Sequence, residues 1–179
     1  MGEDENPVMK RSRIFVDEYY MGLALEEAKK AKALGETPVG AVLVKDGEIL
    51  AKAHNLREKD QQATAHAEIL VIQQGNKALN SWRLTDTVLY VTMEPCAMCG
   101  GAMIQSRIDR LVFGAFDPKG GVCGSMFNLF EQEGLNHKVA VSGGILEEAC
   151  GTILTEFFQE LRKAKKEGKS IEKTAENHQ

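Results

Sequence analysis

Four residues suited to binding a metal and moving a proton stand in two short stretches: His66 with Glu68, and Cys96 with Cys99. Val91-Thr92-Met93-Glu94-Pro95-Cys96-Ala97-Met98-Cys99 reads as an apolar strand that ends at a proline and turns into a helix. The spacing of Cys96 and Cys99 puts both thiols on one helix face. A helix start carries about half a positive charge, which favours thiolate over thiol. Upstream, Thr64-Ala65-His66-Ala67-Glu68 precedes the apolar run Ile69-Leu70-Val71-Ile72, so His66 also falls near a helix start. His66, Cys96 and Cys99 are zinc ligands of the preferred types. Three protein ligands and an open position mark a catalytic zinc, whereas structural sites are closed by four. Glu68 brings a carboxylate into the same cleft, where it can serve a zinc-activated water as proton shuttle. Two other readings share these residues. A C-x-x-C pair also serves thiol redox sites, and Cys123 or a second histidine as fourth ligand would make the zinc structural.

The elements that must hold these residues follow from periodicity. Asp17 to Leu34 is helical by its apolar steps (Tyr20, Leu23, Ala24, Ala28, Ala31, Leu34), with Asp17 as a candidate N-cap and Gly35 as the stop. Val39–Val44 and Glu48–His54 read as strands joined through Asp46-Gly47, a hairpin turn signal. A polar loop from Glu58 to Gln62 leads into the His66 helix, which ends near Ala78. Val88–Met93 and Leu111–Ala115 are strands on either side of the Cys96 helix. Ser125 to Gln132 is expected as a short helix and Lys138–Val141 as a fifth strand. A long helix runs from Glu147 to about Lys166, with Ile153, Leu154, Phe157, Phe158 and Leu161 on its apolar side. A helix, a hairpin and then alternating strands and helices imply a three-layer α/β domain. The strand–helix–strand unit around Cys96 gives parallel neighbours beside an antiparallel hairpin. Such sheets bind ligands beyond the strand ends, where both motifs fall. Three stretches are expected: a flexible leader over 1–16, one zinc-dependent domain over 17–166 and a polar tail over 167–179.

With 179 residues, the chain suits one domain with an ordinary core. Its net charge of −4 does not mark a nucleic-acid binder, so any RNA contact must come from a local patch. No apolar run approaches the ~20 residues of a membrane span. The acidic start, Met1-Gly2-Glu3-Asp4-Glu5-Asn6, lacks the basic and apolar regions of a signal peptide. Asn6 stands where a myristoylation signal needs Ser or Thr. A cytoplasmic location is expected, and there Cys96, Cys99, Cys123 and Cys150 favour metal binding or free thiols over disulfides.

H-x-E followed by P-C-x-x-C is the established signature of zinc nucleobase deaminases, and His66-Ala67-Glu68 with Pro95-Cys96-Ala97-Met98-Cys99 matches it. More specific stretches are T-P-V-G-A-V-L-V (37–44), H-N (54–55), W-R-L (82–84), the E-P-C-A-M-C run, V-F-G-A-F-D-P-K-G-G (112–121), L-N-H (135–137) and G-I-L (144–146). From about Tyr20 to Arg162 the chain thus resembles the bacterial tRNA-specific adenosine deaminases of the cytidine deaminase-like superfamily. The resemblance implies a cytidine deaminase-like fold with a five-stranded mixed sheet flanked by helices, one Zn2+ per subunit, and a homodimer. It implies hydrolytic conversion of the wobble adenosine in a tRNA anticodon loop to inosine, with no membrane or DNA partner. Glu68 would be catalytic, and His66, Cys96 and Cys99 would hold the metal. Asn55, at a strand end, can fix a nucleoside or cap a turn, and the resemblance favours the first. In the family Asp117 meets a flanking nucleotide or ribose, and Lys119 beside it is placed to meet phosphate. The resemblance also assigns the aromatic and basic groups of the last helix, Phe158 and Arg162 among them, to the anticodon stem-loop. A deaminase of free guanine or cytidine is the alternative that the same metal motif allows. A zinc-stabilised RNA-binding module is a further one, although no structural zinc requires Glu68.

Overall fold

The computed structural model describes the backbone of residues 7–176 and the side chains of 9–167. Ten elements follow in order: α1 (Pro7–Ala33), β1 (Gly40–Lys45), β2 (Glu48–His54), α2 (Arg57–Asp60), α3 (Ala67–Leu79), β3 (Thr87–Met93), α4 (Ala97–Ser106), β4 (Arg110–Ala115), β5 (Ala140–Ser142) and α5 (Glu147–Glu176). The five strands form one mixed sheet in the order β2-β1-β3-β4-β5. β1 is antiparallel to β2 and β3, whereas β3, β4 and β5 are parallel. Asp46 and Gly47 both lie at positive φ, as a tight hairpin turn requires.

Strand alternation sorts side chains to the two faces. Ala41, Leu43, Leu89, Val91, Leu111 and Phe113 point one way, into a core shared with Val71 and Ile72 of α3 and Cys99, Met103 and Ile104 of α4. Val42, Val44, Tyr90 and Val112 point the other way, against Tyr20, Met21 and Ala24 of α1 and Cys150 and Leu154 of α5. The expected three-layer α/β architecture is therefore observed.

Several element bounds differ from the expected ones. α1 begins at Pro7, so residues 7–16, expected as leader, are helical, and residues 1–6 lie outside the described residues. Proline suits a first helical turn, where its missing N–H has no partner to lose. Asp17 is consequently not a cap. It is buried within α1, where Tyr90 Oη donates to it at 3.0 Å and Arg110 binds both its oxygens at 2.9 and 2.7 Å. α5 continues past Lys166 to Glu176, and residues 177–179 lie outside the described residues. Arg57–Asp60 forms one helical turn where a loop is expected. Residues 125–132 form no helix but turns around a bridge between Cys123 and Asn128. Leu129 N–H donates to Val122 C=O at 2.9 Å and Phe130 N–H to Asn128 Oδ1 at 3.1 Å, so neither joins a helical ladder.

Candidate active site

The antiparallel hairpin and the parallel β3–β4 pair bring four strand ends to one edge. Gly40 pairs with His54 and Met93 with Ala115, so Val39, Asn55, Glu94 and the residues after Ala115 emerge together. Two helices begin at the same edge. His66 is the N-cap of α3 and Cys96 the N-cap of α4, both with extended backbone. Each presents its side chain at the positive end of a helix, where an anionic ligand is stabilised.

His66 Nδ1 lies 3.9 Å from Cys96 Sγ and 3.6 Å from Cys99 Sγ. The three donor atoms all fall within 4.8 Å of one another. Usual zinc–sulfur and zinc–nitrogen bond lengths place two ligands of a tetrahedron roughly 3.6 Å apart. One histidine and two cysteines at these separations therefore fit a zinc ion. Cys96 and His66 are half-buried and Cys99 is fully buried. Hydrogen bonds from Cys99 and His66 push the Cys96 thiol down to about 3, and the Cys96 contact raises the pKa of His66. Cys99 is driven upward by Cys96 and by burial, so it holds its proton until a cation displaces it.

Glu68 sits two residues into the same helix start and is buried, and burial raises its pKa above the usual carboxylate range. It lines a cavity of about 150 Å3 with Thr37, Val39, Asn55, Arg57, His66, Ala67, Met93, Glu94, Cys96 and Asp117. That volume is on the scale of one base rather than of a drug-sized ligand. The structure thus gathers His66, Glu68, Cys96, Asn55 and Asp117 around one space, with Cys99 outside the lining and its Sγ 3.6 Å from His66 Nδ1. Asn55 is buried and Asp117 half-buried. Lys119 is exposed, its N–H donating to Asp117 Oδ1 at 3.0 Å, and it does not line the cavity. Phe158 and Arg162 are exposed on α5 and are not among the lining residues either. Phe157 is the buried member of the aromatic pair, in edge contact with Phe158 at 5.4 Å.

Sequence reasoning missed two carboxylates that hold the cavity walls. Glu94 is 3 % exposed and accepts from the backbone N–H of Asp117 (2.9 Å), Cys123 (2.8 Å) and Ser125 (3.2 Å), and from Ser125 Oγ. Burial opposes its ionisation, but these donors prevail and hold its pKa below the usual value. A side chain at Gly121 would run into the Glu94 carboxyl group, which explains a glycine there. The second is Glu36, 1 % exposed, between α1 and β1. Glu94 had a signal in its place next to Pro95-Cys96, whereas Glu36 had none beyond following Gly35.

A helix-flanked mixed sheet carrying a His/Cys/Cys triad and a buried glutamate at its edge is the arrangement of the zinc-dependent deaminases. The family model of the MafB19-like deaminases matches residues 15–162. The tRNA-specific adenosine deaminase of Bacillus subtilis (strain 168) is 58 % identical over 150 residues, 84 % of this chain and 93 % of that protein. A solved tRNA:A34 deaminase, studied for A-to-I editing at the wobble position of transfer RNA, superposes with a TM-score of 0.74 at 44 % identity. It covers 76 % of this chain and 99 % of that one. The guanine deaminase from Nitrosomonas europaea superposes with a TM-score of 0.69 at 26 % identity, covering 78 % and 83 %. The chain belongs to the deaminase family that these matches define, among its tRNA-specific adenosine deaminases.

Proposed function

We propose that the cavity around Glu68 hydrolyses the wobble adenosine of a tRNA anticodon loop to inosine and ammonia. One observation carries this reading: in a chain of this family, a buried glutamate shares a base-sized cavity with a His/Cys/Cys donor set. His66, Cys96 and Cys99 would hold a zinc ion, and zinc in such a setting supplies Lewis acidity that lowers the pKa of a water towards ~7. Glu68 takes a proton from the attacking water and delivers it to N1 of adenine as the C6–O bond forms. Glu68 then takes the remaining proton from the new C6 hydroxyl and passes it to the exocyclic amine; the C6–N bond breaks as C6=O forms, and ammonia leaves.

Asn55 orients the nucleoside from the β2 end of the cavity, and Asp117 meets the flanking nucleotide or ribose from the β4 end. Lys119, exposed beside Asp117, offers a cation for phosphate. Phe158 and Arg162 present a ring and a cation on α5 for the stem-loop, a sequence-tolerant and salt-dependent contact. Exposed Met98 and partly exposed Ile69 and Leu70, in the first turns of α4 and α3, suit a second copy of the chain, hence a homodimer. Among the described residues no helix is long and apolar enough to cross a membrane. A substrate among tRNAs favours the cytoplasm.

The test offers the protein a short anticodon stem-loop with A at the wobble position, alongside free adenosine, cytidine and guanine. Inosine in the stem-loop alone supports the reading. Turnover of a free base with an untouched stem-loop overturns it in favour of a small-molecule deaminase.

A further inference from the structure

We infer that Glu36 is a positioning residue, whose buried carboxylate sets the Asn55 amide and, with it, the 55–60 wall of the cavity. Glu36 lies in the connection between α1 and β1, and its own N–H is tied back to Ala31 C=O at 3.0 Å. Its side chain is 1 % exposed, and every partner it has lies in the stretch after β2. Oε2 accepts from Asn55 Nδ2 at 3.1 Å and from Glu58 N–H at 3.2 Å, and Oε1 accepts from Lys59 N–H at 2.6 Å. α2 has no side-chain cap of its own, since Leu56 stands at its N-cap. Glu36 caps it from a distance by satisfying two N–H groups of its first turn.

The consequence for Asn55 follows from donor and acceptor counting. A carboxylate only accepts, so Asn55 must turn its Nδ2 towards Glu36. This leaves Oδ1 and the second Nδ2 hydrogen to face elsewhere in a fixed sense. The Asn55 backbone is pinned as well, its N–H donating to Val39 C=O at 3.0 Å. With its backbone fixed and its Nδ2 held by Glu36, the amide cannot exchange its two sides. Arg57, the next cavity-lining residue, begins the turn that Glu36 caps. Glu36 therefore sets this wall without touching the cavity itself.

Glutamine at position 36 would keep the shape and remove one acceptor. Its oxygen goes to the short Lys59 bond, and its NH2 faces two donors, Asn55 Nδ2 and Glu58 N–H. Asn55 then rotates its amide and presents the wrong group to substrate. Glu36→Asp keeps both acceptors but draws them back by one methylene. A role through acceptors ranks kcat/KM as Glu above Asp above Gln, whereas a role through volume alone ranks Glu above Gln above Asp.

The deciding experiment is a kinetic double-mutant cycle on the anticodon stem-loop, which rests on the proposed function, with zinc content measured for each protein. Glu36→Gln alone lowers kcat/KM by on the order of tenfold, as expected for a lost charge-assisted hydrogen bond. In the Asn55→Ala background the same change costs less than about twofold, because the two residues act as one unit. Losses that multiply, or the reverse order for Asp and Gln, overturn the inference. A readout independent of activity is the Asn55 side-chain amide in the 15N–1H NMR spectrum, identified by its absence in Asn55→Ala. It shifts in Glu36→Gln, and an unmoved signal overturns the inference even where the wild-type protein leaves the stem-loop untouched. That last result alone would count against the proposed function and not against Glu36.

Discussion

At the cavity floor His66, Cys96, Cys99 and Glu68 stand on two helix starts whose helices pack into one core, and none of the four is exposed. At the outer reach Lys119, Phe158 and Arg162 are exposed, and none lines the cavity. The floor is held by two helix starts packed on the core, and its donor atoms already lie at separations that fit a metal. The reach is held by one loop and one helix face, and under the proposed function its contacts form only with the substrate. Chemistry belongs in the first region, where an ångström matters. Substrate affinity can be spread over the second, where contacts are additive and tolerant.

Breaking the floor has the largest expected effect. Cys99→Ala removes a fully buried donor of the His/Cys/Cys group, so zinc measured by atomic absorption is expected to fall to near zero and inosine formation to disappear with it. Removal of metal by a chelator, with activity restored by added Zn2+, is expected to reproduce that loss in the unmutated protein. Retained zinc in Cys99→Ala would mean that the donor set lies elsewhere.

The wall between floor and reach is the next place to press. Glu94→Gln keeps its volume but leaves donors at Asp117, Cys123 or Ser125 facing an NH2 group. A lost hydrogen bond to a buried charge costs roughly 1.5–3 kcal/mol, so Tm drops by several degrees. The 117–125 loop is then expected to exchange its amide hydrogens faster, with zinc retained. Unchanged exchange there would show that Glu94 does not hold the wall.

The smallest effects belong to the reach. Phe158→Ala and Arg162→Ala each raise KM for the stem-loop by up to about tenfold and leave kcat and zinc unchanged. Arg162→Ala also flattens the salt dependence of KM. A fall in kcat without a change in KM would move these residues from substrate binding to the chemistry.

Much of this division is legible in the amino-acid sequence, for a physical reason. The triad and Glu68 sit in short local patterns, H-A-E and P-C-A-M-C, whose spacing survives folding because each lies on a single helix start. The strands are legible because their apolar faces alternate against two helical layers. Glu36 and Glu94 are not legible. A carboxylate reads as a solvated residue until its donors are known, and theirs come from 19 to 31 residues away in sequence. The 125–132 stretch misleads because its local helical tendency yields to other partners, Leu129 N–H going to Val122 C=O and Phe130 N–H to the Asn128 side chain. The early start of α1 escapes because Met9, Ile14, Phe15 and Val16 form no stripe of three- and four-residue steps, and all four are exposed in the fold.

The central claim is that Glu68 moves the protons of the reaction and takes no part in holding the metal. Glu68→Ala tests it most directly, with inosine in the stem-loop and zinc content measured on the same preparation. A loss of activity of about 10²-fold or more with zinc fully retained is the predicted result. Activity that persists without the carboxylate would contradict the account and leave the triad as a structural zinc site.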